Sequence, residues 1–163
     1  IENPDALIAI KDSIALKGLT SSSLEALTLA HNNVGLAALK SDNYQKARQH
    51  FSQALQLSTE DTVARYNLLI TEAHIKYKKG NKDGLWDAIQ KYNKASFLKP
   101  SLGEPHYYIG LSYLKLSDTD FDLILESYEK ALLLDLNPVL RAKVESQKSQ
   151  ASDRKNRLKE FWN

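Results

Sequence analysis

Four histidines, a scatter of paired carboxylates, one glycine-bracketed loop and a basic terminus are where this 163-residue sequence could do chemistry. The histidines are His31, His50, His74 and His106. None stands with a carboxylate at tight metal-ligand spacing, so they read as ordinary surface or half-buried imidazoles. Asp118 with Asp120, and Asp122 with Glu126, are the nearest thing to an acid pair. They fall at helix starts, where a carboxylate complements the helix dipole, and that role accounts for them. The stretch GNKDG at 80–84 is too short for a phosphate loop and follows a helical pattern rather than a strand, so it reads as a turn. No nucleophile elbow or dinucleotide fingerprint is present. There is no cysteine, which excludes a disulfide framework, a thiolate zinc site and a cysteine nucleophile. The expectation is a non-enzymatic chain with no cofactor and no metal site.

The terminal KSQASDRKNRLKEFWN gathers Lys148, Arg154, Lys155, Arg157 and Lys159 beside Phe161 and Trp162. Such a stretch can touch nucleic acid or anionic lipid. Formal net charge is only +2, with acids and bases interspersed, so the segment is expected to be a solvated helix face and nucleic acid is not the expected partner. No apolar run approaches the roughly 18 residues of a spanning helix, and no signal-like stretch occurs. Methionine is absent as well as cysteine. The chain is therefore expected to be a processed product or a piece of something longer: a mature exported protein, periplasmic or extracytoplasmic, or else a trimmed or cytoplasmic domain.

The elements that must position these residues are helices. Leu, Ala, Lys, Ser and Glu dominate, Gly and Pro are few, and strand-type alternation is missing. One helix is written three times, as YQKARQHFSQAL, LWDAIQKYNKAS and FDLILESYEKAL. The recurring positions are Tyr44, Ala47, Phe51 and Ala54; Leu85, Ala88, Tyr92 and Ala95; then Phe121, Ile124, Tyr128 and Ala131. Ala54 to Ala95 is 41 residues and Ala95 to Ala131 is 36, which is the period range of helical solenoids. A 34-residue unit fits if the second copy carries seven extra residues and the third two. Seven residues is about two helical turns, so a helix can lengthen by that much without rotating its apolar face far. A second helical pattern precedes each repeated segment. Breakers separate the two at 41–43, 80–84 and 117–120, and Pro100 and Pro138 follow the second helices.

This arrangement resembles the tetratricopeptide repeat family over about residues 24–138. The first unit shows Val34-Gly35, Ala38, Tyr44, Ala47, Phe51 and Ala54-Leu55; the third shows Ile109-Gly110, Tyr113, Phe121, Tyr128, Ala131-Leu132 and Asn137-Pro138. The second keeps Ala88, Tyr92, Ala95 and Lys99-Pro100 but has Leu69 where the family usually has Gly. Small residues let two helices approach, and aromatics fill the gap to the neighbouring pair. The resemblance implies an all-α fold, a right-handed superhelix of antiparallel helix pairs with about eight helices. The expected divisions are an N-terminal helix at 1–20, repeats at 24–60, 61–101 and 103–138, and a capping helix at 139–163.

In this family the first helix of each pair lines a concave groove. The matching positions here are Leu29, Asn32, Asn33, Leu36 and Lys40; Val63, Tyr66, Asn67, Ile70 and His74; and Glu104, Tyr107, Tyr108, Leu111 and Lys115. Tyr66, Tyr107 and Asn67 are the expected anchors, since Tyr offers apolar area with a polar tip and Asn bonds a peptide from both ends of its amide. Leu36, Ile70 and Leu111 are equally open to being covered by the chain's own terminal helices. One subfamily clamps the C-terminal carboxylate of chaperones with Lys, Asn and Arg. Only Asn67 matches that set, and Glu104 would repel a carboxylate, so no chaperone tail is expected. The implied role is a scaffold or adaptor that holds a peptide or protein segment. A structural, self-assembling repeat domain is the alternative.

Overall fold

The computed structural model describes residues 20–117 and 119–162. The fold is all-α, with seven helices among the described residues: α1 (Ser21–Lys40), α2 (Tyr44–Leu57), α3 (Thr62–Lys79), α4 (Lys82–Leu98), α5 (Glu104–Leu116), α6 (Phe121–Leu132) and α7 (Pro138–Trp162). The N-terminal helix expected at 1–20 lies outside the described residues. The only bridge found among them is an isolated one between Leu102 and Asp135. The chain divides into two compact units, 1–72 and 73–163, and the division falls within α3.

Short polar residues set the helix ends. Thr20 caps α1 by accepting from the Ser23 N–H, and Asn43 caps α2 by accepting from that of Lys46. Asp61 does the same for α3 through the Ala64 N–H at 2.9 Å. Asn81 caps α4, so the expected turn at 80–84 is shorter than its sequence suggests. Only Gly80, at φ +72°, and Asn81 turn the chain, and Lys82, Asp83 and Gly84 already belong to the helix. Asn137 caps α7 with Pro138 in its first turn, where the missing N–H costs nothing. Arg141 then reaches back and donates to the Leu132 and Leu134 carbonyls at the end of α6.

In the first unit α1 packs on α2. Ala38, Ala47 and Phe51 form its buried centre, with Leu36, Leu39 and Leu68 against them. Gly35 is what allows the closeness: a Cβ there would lie 2.6 Å from the Phe51 ring. His31 and His50 meet across the same helix pair, Nδ1 to Nδ1 at 3.0 Å, so one nitrogen must carry the proton and the other accept it.

In the second unit α4 packs on α5, α5 on α6 and α6 on α7. Gly110 repeats the device of Gly35, with its absent Cβ 2.5 Å from the Tyr128 ring. Tyr107, Phe121, Ile124, Tyr128, Ala131, Val144 and Ala151 make one apolar cluster. Val144 and Ala151 bring α7 onto that cluster. The basic stretch is partly consumed in doing so: Lys148 pairs with Glu129 and Lys155 with Asp122.

Because the Phe51 ring is fully buried, it has nowhere to move. Gly35→Ala is expected to destabilise the first unit by about 1–2 kcal/mol, overpacking outweighing a helix-propensity gain of roughly 1 kcal/mol. Urea unfolding reads the loss, and the smaller ring site of Gly35→Ala/Phe51→Leu should recover part of it.

Candidate functional site

Among the described residues no three metal-binding side chains come together, and no helix is long and apolar enough to cross a membrane. The histidines are used in packing. His31 is buried against His50. His74 shares a 2.7 Å hydrogen bond with the Tyr92 hydroxyl. His106 is buried in the first turns of α5. Asp120 precedes α6 without a side-chain cap bond, Asp122 is held by Lys155 and Glu126 is exposed. Asp118 lies outside the described residues.

The fifteen sequence-matched groove positions fall into three environments. Tyr66, Asn67, Ile70, His74 and Tyr107 are buried; Tyr66 is 4% and Ile70 1% exposed. A second group is tied into an aromatic cluster of the second unit. Tyr108 stacks on Tyr92 with ring centroids 5.4 Å apart and meets His74 edge-on at 4.5 Å. Lys115 places its Nζ 3.8 Å from the Tyr77 ring centre. Leu111 packs half-buried against the neighbouring core. Glu104 sits in the first turn of α5, where burial raises its carboxyl above the usual range. The expected anchors Tyr66 and Tyr107 thus lie among core side chains, and a charge placed at either would be buried in apolar surroundings.

The third group is different. Along α1, Leu29 stands three residues from Asn32 and four from Asn33, and Leu36 four from Asn32 and three from Asn33, which places them on one face. With Leu57, Asp61 and Val63 they line an open groove of about 540 Å³ in the first unit. Leu24, Leu29, Leu36, Leu57 and Val63 supply its aliphatic surface, and two of these side chains stay in solvent: Leu29 is 50% exposed and Val63 42%. Lys40 is exposed in the last turn of α1, outside this groove. Asn32 is buried in the wall and donates through Nδ2 to Asp61 Oδ2 at 2.8 Å. Its own Oδ1 is buried without a hydrogen-bond partner. Asp61 therefore does two jobs, starting α3 and orienting the Asn32 amide. Sequence reasoning missed Asp61 and Glu25. The signal for Asp61 was available, since an Asp three residues before a helical Ala is a cap pattern; Glu25 stands one helical turn before Leu29.

Residues 28–61 match the family described as Tetratricopeptide repeat. Among curated proteins no relative matches the chain. The matched repeat is the one whose two helices and following cap build this groove. Such repeats generally serve as protein interaction surfaces rather than as catalysts.

Two measurements test these placements. Leu29→Ala should change stability by less than about 0.5 kcal/mol, whereas Ile70→Ala should cost about 2–5 kcal/mol in urea unfolding. The second concerns His106. Burial, and behind it the Lys130 ammonium, lowers its pKa from the ordinary value. Its contribution is complete above the unfolded value of about 6.5 and is lost as pH falls through the lower folded one. The urea midpoint is expected to fall between pH 7.5 and 5.5, and to fall less in His106→Gln.

Proposed function

We propose that the chain is a non-enzymatic interaction module that holds a segment of a partner protein in the groove of its first repeat. The observation that carries this reading is the pairing of exposed Leu29 and Val63 with the buried amide of Asn32 around one groove. Isolated exposed leucines are ordinary on a soluble surface. Here two aliphatic side chains flank a concave wall that also holds an unpartnered acceptor. Apolar walls with a few fixed polar groups are how peptide-binding surfaces combine affinity with orientation. Asn33, exposed beside Asn32, adds a second amide that can donate and accept.

The sequence-matched positions of the second unit enter this reading as the scaffold of their own repeats. Tyr107, Tyr108, His74 and Lys115 are engaged with neighbouring rings, so they support helix packing in the first instance. Self-assembly through the same groove is the second reading. It differs in one respect that can be measured, because the occupant would be another copy.

A pull-down from native extract with wild type and with Leu29→Asp/Val63→Asp tests the proposal. Both side chains are exposed, and an acidic residue in the first turn of α3 suits the helix dipole, so helicity and melting should be retained. Loss of a captured protein by at least about tenfold in the double variant is expected. Equal capture by both proteins would remove the groove as the site.

A further inference from the structure

We infer that the groove of the first repeat selects an apolar segment carrying a lysine or arginine, with Glu25 and Asp61 as the selecting charges. The inference rests on the groove-binding reading and adds the chemistry of the partner. Of the twelve residues lining the groove, the charged ones are Glu25 and Asp61, and none is Lys, Arg or His. The whole chain is by contrast slightly basic, with 22 Lys and Arg against 20 Asp and Glu. The groove thus carries the opposite sign to the chain as a whole.

The two carboxylates stand among the groove's aliphatic side chains. Glu25 lies one turn from Leu29 on α1, and Asp61 two residues before Val63 at the start of α3. Asp61 is held in place from two sides, by the Ala64 N–H on Oδ1 and by Asn32 on Oδ2. A carboxylate has about four lone-pair sites, so two remain for a cation. Because its position is set by the fold, a partner cation meets a charge that need not be ordered first. Between the charges the groove offers Leu29, Leu36 and Val63 to apolar side chains. The Oδ1 of Asn32 is a buried acceptor in that wall without a hydrogen-bond partner, and a backbone or side-chain N–H from the partner would satisfy it once the amide turns toward the groove. An acidic segment meets the reverse conditions: two like charges and no positive group in the groove. Selection therefore comes as much from rejecting acidic segments as from attracting basic ones.

The test uses the full chain, immobilised, against a phage-displayed library of random twelve-residue peptides in low salt. Three proteins are compared: wild type, Glu25→Gln/Asp61→Asn, and Leu29→Asp/Val63→Asp. Asn caps a helix about as well as Asp, its one oxygen accepting from the Ala64 N–H. Its Nδ2 then takes the place of Oδ2 and donates to the Asn32 Oδ1 once that amide turns over, so the neutral variant keeps the fold while losing both charges. Wild type is expected to enrich aliphatic peptides with Lys or Arg over Asp or Glu by about tenfold, falling to about twofold in the neutral variant. These peptides should be lost from the Leu29→Asp/Val63→Asp protein. Peptides that are lost there but show no basic bias, or keep it in the neutral variant, overturn the charge inference and leave the groove reading standing. Peptides indifferent to Leu29→Asp/Val63→Asp, or no enrichment at all, overturn both. Two further outcomes also overturn the inference by naming another occupant. One is a concentration-dependent mass that vanishes in Leu29→Asp/Val63→Asp, which assigns the groove to a second copy. The other is enrichment only after Ile10→Asp/Ile14→Asp in the full chain, which assigns it to the chain's own apolar stretch at 4–18.

Discussion

Two helices can lie side by side at close range only if one of them gives up a side chain where the other presents a ring. Gly35 does this for Phe51 and Gly110 does it for Tyr128, with almost the same clearance in both units. Much else follows from that spacing. With Gly35 under the ring, α1 and α2 come close enough for His31 and His50 to share a proton, and Leu36 and Leu39 close around the buried centre. The inward face of α1 is thereby committed to α2, and Leu29 and Asn33 are left facing solvent. Where the sequence has Leu69 in place of glycine, the corresponding ring, Tyr92, packs instead against His74, five residues further along α3. α3 runs for 18 residues, against 13 for α5.

The repeated helix was legible because its marker positions, Tyr44 excepted, are buried against a neighbour, and burial imposes residue type strongly. Phe51, Ala54, Tyr92, Ala95, Tyr128 and Ala131 are all fully buried. The polar breakers were legible for a local reason, since a cap needs only its own helix start. The loop at 80–84 was misjudged in length because Asp and Gly also occur in first turns, and Asn81 alone was enough to start α4.

The groove was only partly legible, and the cause lies in the first helices of the pairs. α1 carries apolar residues almost all the way round: Leu24, Leu27, Leu29, Val34 and Leu36 are not confined to one stripe. Such a helix touches neighbours on more than one side. Its pattern says that a residue is apolar without saying whether another helix or a ligand covers it. For Leu29 the answer was solvent, and for Ile70 it was the interior. Tyr66 and Tyr107 posed the same ambiguity in a sharper form, because the phenol that suits an interface also fills a core. Asp61 belongs to another class. Its importance comes from Asn32, 29 residues away, and a contact that distant leaves no periodic trace.

The long helix α7 meets α6 through two ion pairs, Lys148 with Glu129 and Lys155 with Asp122. The lysines are seven residues apart and so are their acids, counted in the opposite direction along the chain. The pairs are therefore rungs of equal pitch between two rails running opposite ways. Exposed pairs of this kind add little to stability, each roughly 1 kcal/mol or less. Their joint effect is positional. If α7 slid by one turn, both rungs would break together, and Val144 and Ala151 would miss the cluster formed by Ile124, Tyr128 and Ala131. The apolar contacts hold the helix on, and the charges decide at which notch it stops.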